Sequence, residues 1–103
     1  MALSFAPAAV QDIEEIGDYI HAENPAAAYR LISALRERCG RIANAPRGGA
    51  PRSALWPGLR SVAFQKYVIF YIAQGNDVRV ERILHGARDI AGIFDEGKMP
   101  KDM

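Results

Sequence analysis

The stretch Tyr67-Val68-Ile69-Phe70-Tyr71-Ile72 constrains this chain more than any other: six apolar or aromatic residues, rich in β-formers, with no charge and no glycine. A run that short, bounded by Lys66 and by the turn-forming Gln74-Gly75-Asn76-Asp77, predicts a strand covered on both faces. Alternation puts Val68, Phe70 and Ile72 on one face and Tyr67, Ile69 and Tyr71 on the other. Residues 59–64 before it and 77–85 after it are also strand-like, which makes an antiparallel meander. The rest of the chain has to cover that sheet.

With 103 residues, half of them hydrophobic, the chain is one domain. A domain of this size buries roughly two-thirds of the surface its unfolded chain exposes, enough for a core without disulfides. The net charge of +1 excludes a global polybasic signal. Residues 1–45 carry four Arg against six acids and residues 46–90 seven basic residues against three acids, so the sheet half is the positive one. That imbalance points to an acidic or anionic partner for the sheet. The single cysteine, Cys39, cannot form an internal disulfide, which fits a reducing cytosol. The start of the chain has no basic, signal-like region, and no apolar run approaches a membrane span, so a cytoplasmic location without membrane contact is expected.

Leu3-Ser4-Phe5 alternates and predicts a short strand at the edge of the meander. Pro7 suits the first turn of a helix, and Val10, Ile13, Ile16 and Ile20 recur at helical spacing to about His21. Asp12, Glu14, Glu15 and Asp18 read as its solvated face, with His21 a partner for the helix dipole. Asn24-Pro25 predicts an N-cap and first position for a second helix. Its apolar stripe is Ala28, Leu31, Ile32, Leu35, Cys39 and Ile42, with Arg30, Arg36, Arg38 and Arg41 on the other faces. The two helices make an antiparallel hairpin, and Cys39 reads as a small core residue rather than a nucleophile. Residues 46–53, with two glycines beside two arginines, read as a plain connector, and Trp56 as a residue packing over the sheet edge.

The last strand has a phase problem. Alternation from Val78 and Val80 would put Arg82 in the core, and a buried unpaired arginine is too costly. Either a β-bulge near Glu81 shifts the phase or Arg82 lies at the open end of the sheet. His85 has two readings: its ring orders the turn into the last helix through a backbone hydrogen bond, or it transfers protons. Residues 87–94 predict a short closing helix capped by Gly97. The expected architecture is α+β: a helical hairpin on one face of a small, mostly antiparallel four-stranded sheet, with a short C-terminal helix. Residues 1–96 form the domain and 97–103 a flexible tail.

This order of elements resembles the ParE branch of the ParE/RelE toxin superfamily. The residues that carry the resemblance are the A-x-x-D-I-x-x-I-x-x-Y-I pattern from Ala9 to Ile20, Asn24-Pro25 with Ala27-Ala28, Pro57-Gly58-Leu59-Arg60, Tyr67 to Tyr71, and Arg82-Ile83-Leu84-His85-Gly86-Ala87-Arg88-Asp89. The resemblance implies the toxin of a type II toxin–antitoxin pair, neutralised by a ParD-like antitoxin with a ribbon-helix-helix head and contacting operator DNA only through it. It also implies DNA gyrase as the target, held in its cleaved-DNA state so that replication stops. Relatives of the RelE type instead cut messenger RNA on the ribosome, and the shared fold does not choose between them.

RNA cleavage by 2′-hydroxyl attack needs a base, an acid and cations facing the phosphorane. His85 with Arg60 and Arg82 could supply part of that set. Against it, Gly86 follows His85, Lys66 is the only lysine of the sheet half, and no aromatic follows Phe94. The gyrase reading is therefore favoured, with no catalytic residue, no cofactor and no metal. Arg60, Arg82, His85 and Arg88 are the expected target-binding residues. Tyr67, Ile69 and Tyr71, a face that one short helix does not fill, are the expected antitoxin-binding residues. On the sequence alone, Arg82→Ala or Arg88→Ala should each abolish growth arrest with the fold intact.

Overall fold

The computed structural model describes residues 2–95 of the chain. Its elements are β1 (Leu3–Phe5), α1 (Pro7–His21), α2 (Pro25–Asn44), β2 (Ala50–Pro51), β3 (Leu59–Phe64), β4 (Tyr67–Gln74), β5 (Asp77–His85) and α3 (Ile90–Asp95). They form one α+β unit: a helical hairpin, one mostly antiparallel sheet of order β1-β5-β4-β3-β2, and a short last helix. The expected Gly97 cap and the 97–103 tail lie outside the described residues.

The sheet has five strands where the sequence predicts four. The extra strand, β2, comes from the segment read as a plain connector and pairs antiparallel with β3, Ala50 opposite Ser61 and Pro51 opposite Arg60. The Arg52 N–H donates to the Leu59 carbonyl at 2.7 Å, and Arg52 Nε donates to Ser61 Oγ at 2.8 Å. Proline is tolerated in β2 because an edge strand has no neighbour awaiting its missing N–H. At the opposite edge β1 runs parallel to β5, Leu3 opposite Val78 and Phe5 opposite Val80.

Both helices start as their residues dictate. Ala6 is extended, Pro7 takes the first helical position, and the Ala6 N–H donates to the Val80 carbonyl at 2.9 Å, so α1 grows directly out of the sheet edge. Asn24 caps α2 by accepting from the Ala27 N–H at 3.1 Å. The stripe on α1 differs from the expected one only at its start. Ala9 is fully buried and Ile13 and Ile16 pack on the core, whereas Val10 is 45 % exposed. A methyl side chain at the contact lets the helix approach the strands closely.

The alternation in β4 is as expected, but the hairpin takes the face that was expected to be open. Ile69 and Tyr71 pack with Leu35, Cys39 and Ile42 of α2, fully buried, and Tyr67 borders the same cluster. The expectation that Tyr67, Ile69 and Tyr71 lie on an uncovered face is therefore corrected. The larger apolar area of that face, two tyrosines and an isoleucine, is what the long helices cover. Val68, Phe70 and Ile72 lie on the other side with Leu59, Leu84 and Phe94, where the short α3 and the Leu55–Trp56 turn shield them.

The phase problem in β5 is resolved by a bulge. Phe70 pairs with Arg82 while its neighbour Tyr71 pairs with Val80, so Glu81 is the residue without an opposite number. Beyond it, Ile83 joins the hairpin-side core and Leu84 the other. Glu81 is itself fully buried, its carboxylate 3.7 Å from Arg79 Nε.

Tyr71 also organises the loop after α2. Its hydroxyl donates to the Pro46 carbonyl at 2.8 Å and accepts from the Gly49 N–H at 2.9 Å. Gly49 is needed there, because a Cβ at that position would fall on the Tyr71 hydroxyl. Tyr71→Phe strips a buried donor of its acceptor and is expected to cost about 1–3 kcal/mol, read as a lower thermal midpoint. Gly49→Ala should lower the midpoint at least as far, since the ring has no room to retreat.

Candidate functional site

The four residues expected to converge are divided by the fold. Arg60 lies opposite Tyr71 on β3, and its Nη1 donates to the Gly49 carbonyl at 2.7 Å and the Arg47 carbonyl at 3.2 Å. It staples the same loop that Tyr71 holds, at the end of the sheet remote from the His85–Tyr67 pair. Arg82 is held more firmly. Its Nε and Nη2 donate to the two carboxylate oxygens of Asp12 at 2.8 and 2.9 Å, and the side chains are only 13 % and 9 % exposed. Those hydrogen bonds raise the Arg82 pKa further above its already high ordinary value. Asp12 Oδ2 also accepts from the Ile83 N–H at 2.9 Å. Asp12 is thus part of the fold and not of the solvated acidic face. Arg60 and Arg82 are thus both engaged by partners inside the fold, apart from each other, and the expected convergence of the four residues is corrected.

A signal for Asp12 was present in the sequence. It stands three residues after Ala9 and four before Ile16, both on the buried side of α1, so helical geometry alone puts it there. A phase-shifted Arg82 needed a carboxylate, and this is the acid on that face.

His85 and Arg88 remain exposed, and they sit together. His85 ends β5 opposite Tyr67, with the two rings edge-to-face at 5.6 Å. The Ala87 N–H donates to His85 Nδ1 at 3.0 Å, and the Arg88 N–H donates to the His85 carbonyl at 3.0 Å. The imidazole thus orders the turn into α3, as one of its two readings has it. Because the Nδ1 lone pair is occupied, the neutral ring carries its proton on Nε2. The Gly86 N–H donates to the Lys66 carbonyl at 2.8 Å, which ties this turn to the β3–β4 hairpin and adds Lys66 to the cluster.

Between this cluster and α1 runs an open groove. Its floor is Ile16, Ile20, Leu31, Tyr67 and Ile83, one wall carries Lys66, His85 and Arg88, and the other carries Glu15 and Tyr19. Tyr19 is 74 % exposed. Gln65, in the hairpin turn at the rim, has φ of 53°, the only non-glycine residue at positive φ among those described. A glycine would hold that backbone without strain, and a side chain there costs on the order of 1 kcal/mol. The sequence reading passed over Gln65 and Tyr19, since neither has a motif of its own.

Among the described residues no three His, Cys, Asp or Glu side chains group as a metal site, and no helix is long and apolar enough to cross a membrane. Cys39 is fully buried on α2, and burial pushes its thiol up to about 11.

The profile of the ParE toxin of the type II toxin–antitoxin system parDE matches residues 3–90. The chain belongs to the ParE toxin family. A solved structure described as the chromosomal ParDE TA system from P. aeruginosa superposes with a TM-score of 0.71 at 20 % identity, over 82 % of this chain and 95 % of that one. At that identity the likeness is one of fold, and it covers the hairpin-on-sheet arrangement of this ParE-family chain. No curated protein matches it.

Two outcomes follow for variants. Asp12→Ala leaves the largely buried Arg82 guanidinium without its carboxylate and the Ile83 N–H without its acceptor, and should cost roughly 3 kcal/mol, whereas Arg88→Ala should stay within about 0.5 kcal/mol. Thermal unfolding of the two proteins side by side checks this. Cys39 should resist thiol reagents until the chain unfolds. The unfolded thiol ionises near 9.0 and the folded one near 11, so its stabilising contribution is present below pH 9 and is lost as pH rises to 11.

Proposed function

We propose that this chain is the toxin half of a toxin–antitoxin pair that stops growth by binding DNA gyrase and stabilising its cleaved-DNA complex. A ParD-like antitoxin with a ribbon-helix-helix head holds it in check. One observation carries the choice of a binding toxin over a ribonuclease: the Arg82 guanidinium is bound bidentate to Asp12. A cation clamped that way has two of its donor directions filled and is not free to close on a phosphorane. The other members of that trio fit the same reading. Arg60 is turned to backbone carbonyls, and His85 Nδ1 is already engaged, accepting from the Ala87 N–H.

The antitoxin binds only the folded toxin in this scheme, so saturating antitoxin should raise the toxin's thermal midpoint by mass action. The target is tested with purified protein titrated into a gyrase supercoiling reaction, beside an assay of messenger RNA cleavage on translating ribosomes. Supercoiling should be inhibited and linear DNA should accumulate on denaturation, while RNA stays intact. His85→Gln keeps a hydrogen-bonding side chain without proton transfer, so gyrase inhibition should persist, weakened no more than severalfold. Ribosomal RNA-message cleavage that disappears in His85→Gln would instead establish the ribonuclease.

A further inference from the structure

We infer that the groove between α1 and the β3–β4 turn is where this toxin grips its target, and that what enters it is a protein segment rather than DNA. The inference deepens the gyrase reading and rests on it. The entering segment has an apolar ridge, carboxylates along the edge facing Lys66 and Arg88, and a basic residue along the edge facing α1.

Three observations lead there. First, the groove is two-signed. One wall carries two cations, Lys66 and Arg88, beside the exposed His85, and the opposite wall carries Glu15 on a helix whose Glu14 and Asp18 are also exposed. A phosphate backbone meets attraction on one side and repulsion on the other, whereas a polypeptide can present both signs at once. Second, the floor is aliphatic and aromatic, and Tyr19 stands above it largely in water. An exposed tyrosine over an apolar floor is the composition of a protein-binding centre with a polar rim. Third, the rim is built on the one strained non-glycine residue among those described, Gln65 at φ 53°. The hairpin holds a left-handed backbone with a side chain on it, at the point where that side chain lines the groove beside Lys66. Strain of that kind belongs where the turn's side chains are used.

The basic cluster is also pre-positioned. The bond from the Gly86 N–H to the Lys66 carbonyl and the turn ordered by His85 fix Lys66 and Arg88 relative to each other before any partner arrives. The ordering cost falls in the folded toxin and not in the complex.

The test is equilibrium binding of the full-length toxin to purified gyrase, with and without linear DNA, across a salt series. Lys66→Glu, Arg88→Glu and Tyr19→Ser change exposed side chains and should each weaken binding at least tenfold with unchanged thermal midpoints. Gln65→Gly should raise the midpoint and yet weaken binding severalfold, which a purely structural role for that residue would not do. Arg36→Glu, exposed on α2 away from the groove, should bind within twofold of the parent chain. The parent chain should bind gyrase without DNA and lose little affinity as salt rises. If the groove variants bind as the parent does, the groove assignment fails while the gyrase reading stands. Binding that needs DNA and falls steeply with salt identifies a nucleic-acid contact and overturns the protein segment. A groove occupied by a second toxin, seen as self-association that Tyr19→Ser abolishes, overturns it as well. No binding by the parent chain overturns the gyrase reading and this assignment together.

Discussion

One carboxylate joins the two layers of this fold. β1 is three residues long and pairs with β5 only as far as Val80, so the rest of the β5 edge lacks a strand partner on that side. Asp12 reaches down from α1 and takes the Ile83 N–H just where strand pairing ends. The same group neutralises Arg82, which the bulge at Glu81 has swung toward the helix. A helix side chain thus does the work of a missing strand and of a counterion at once. A carboxylate has two oxygens and about four acceptor directions, and three are used here. No other side-chain type short enough for this gap could satisfy both demands.

The consequence for the functional surface is one of subtraction. Of the basic residues in the C-terminal half, the fold takes Arg60 for the loop at Pro46–Gly49 and Arg82 for α1, and engages Arg52 with Ser61. Lys66, His85 and Arg88 are left together at one end. A surplus of positive charge counted over a stretch of sequence is therefore a poor guide to where that charge faces. The excess that pointed to an acidic partner for the sheet resolves into side-chain or backbone partners for Arg52, Arg60, Arg79 and Arg82, an exposed Arg47 at the far loop and one small exposed cluster.

Much of the fold was legible because it rests on period and local chemistry. The apolar run of β4, the Asn24-Pro25 start of α2 and the turn at Gln74–Asp77 each have a direct physical reading, and each lies where that reading puts it. The bulge was legible as a conflict between alternation and the cost of burying Arg82. Two things were not. β2 has two residues, one a proline, and nothing in Ala50-Pro51 marks it as a strand apart from the Arg52–Leu59 bond that folding supplies. Which face of β4 the hairpin covers was also hidden, because both faces are apolar and alternation is blind to the choice. The site suffered most from this, since its expected residues were chosen by type and order, while their availability depends on partners distant in sequence, such as Asp12 seventy residues before Arg82.

The outer strands of the sheet are both stubs, β1 of three residues and β2 of two, the latter containing Pro51. An edge that short offers too few unpaired backbone groups to recruit a strand from a neighbouring molecule, and the proline removes one of those donors outright. Blunted edges of this kind leave the folded chain without a template for fibre growth, so two copies that meet sheet edge to sheet edge have almost nothing to pair.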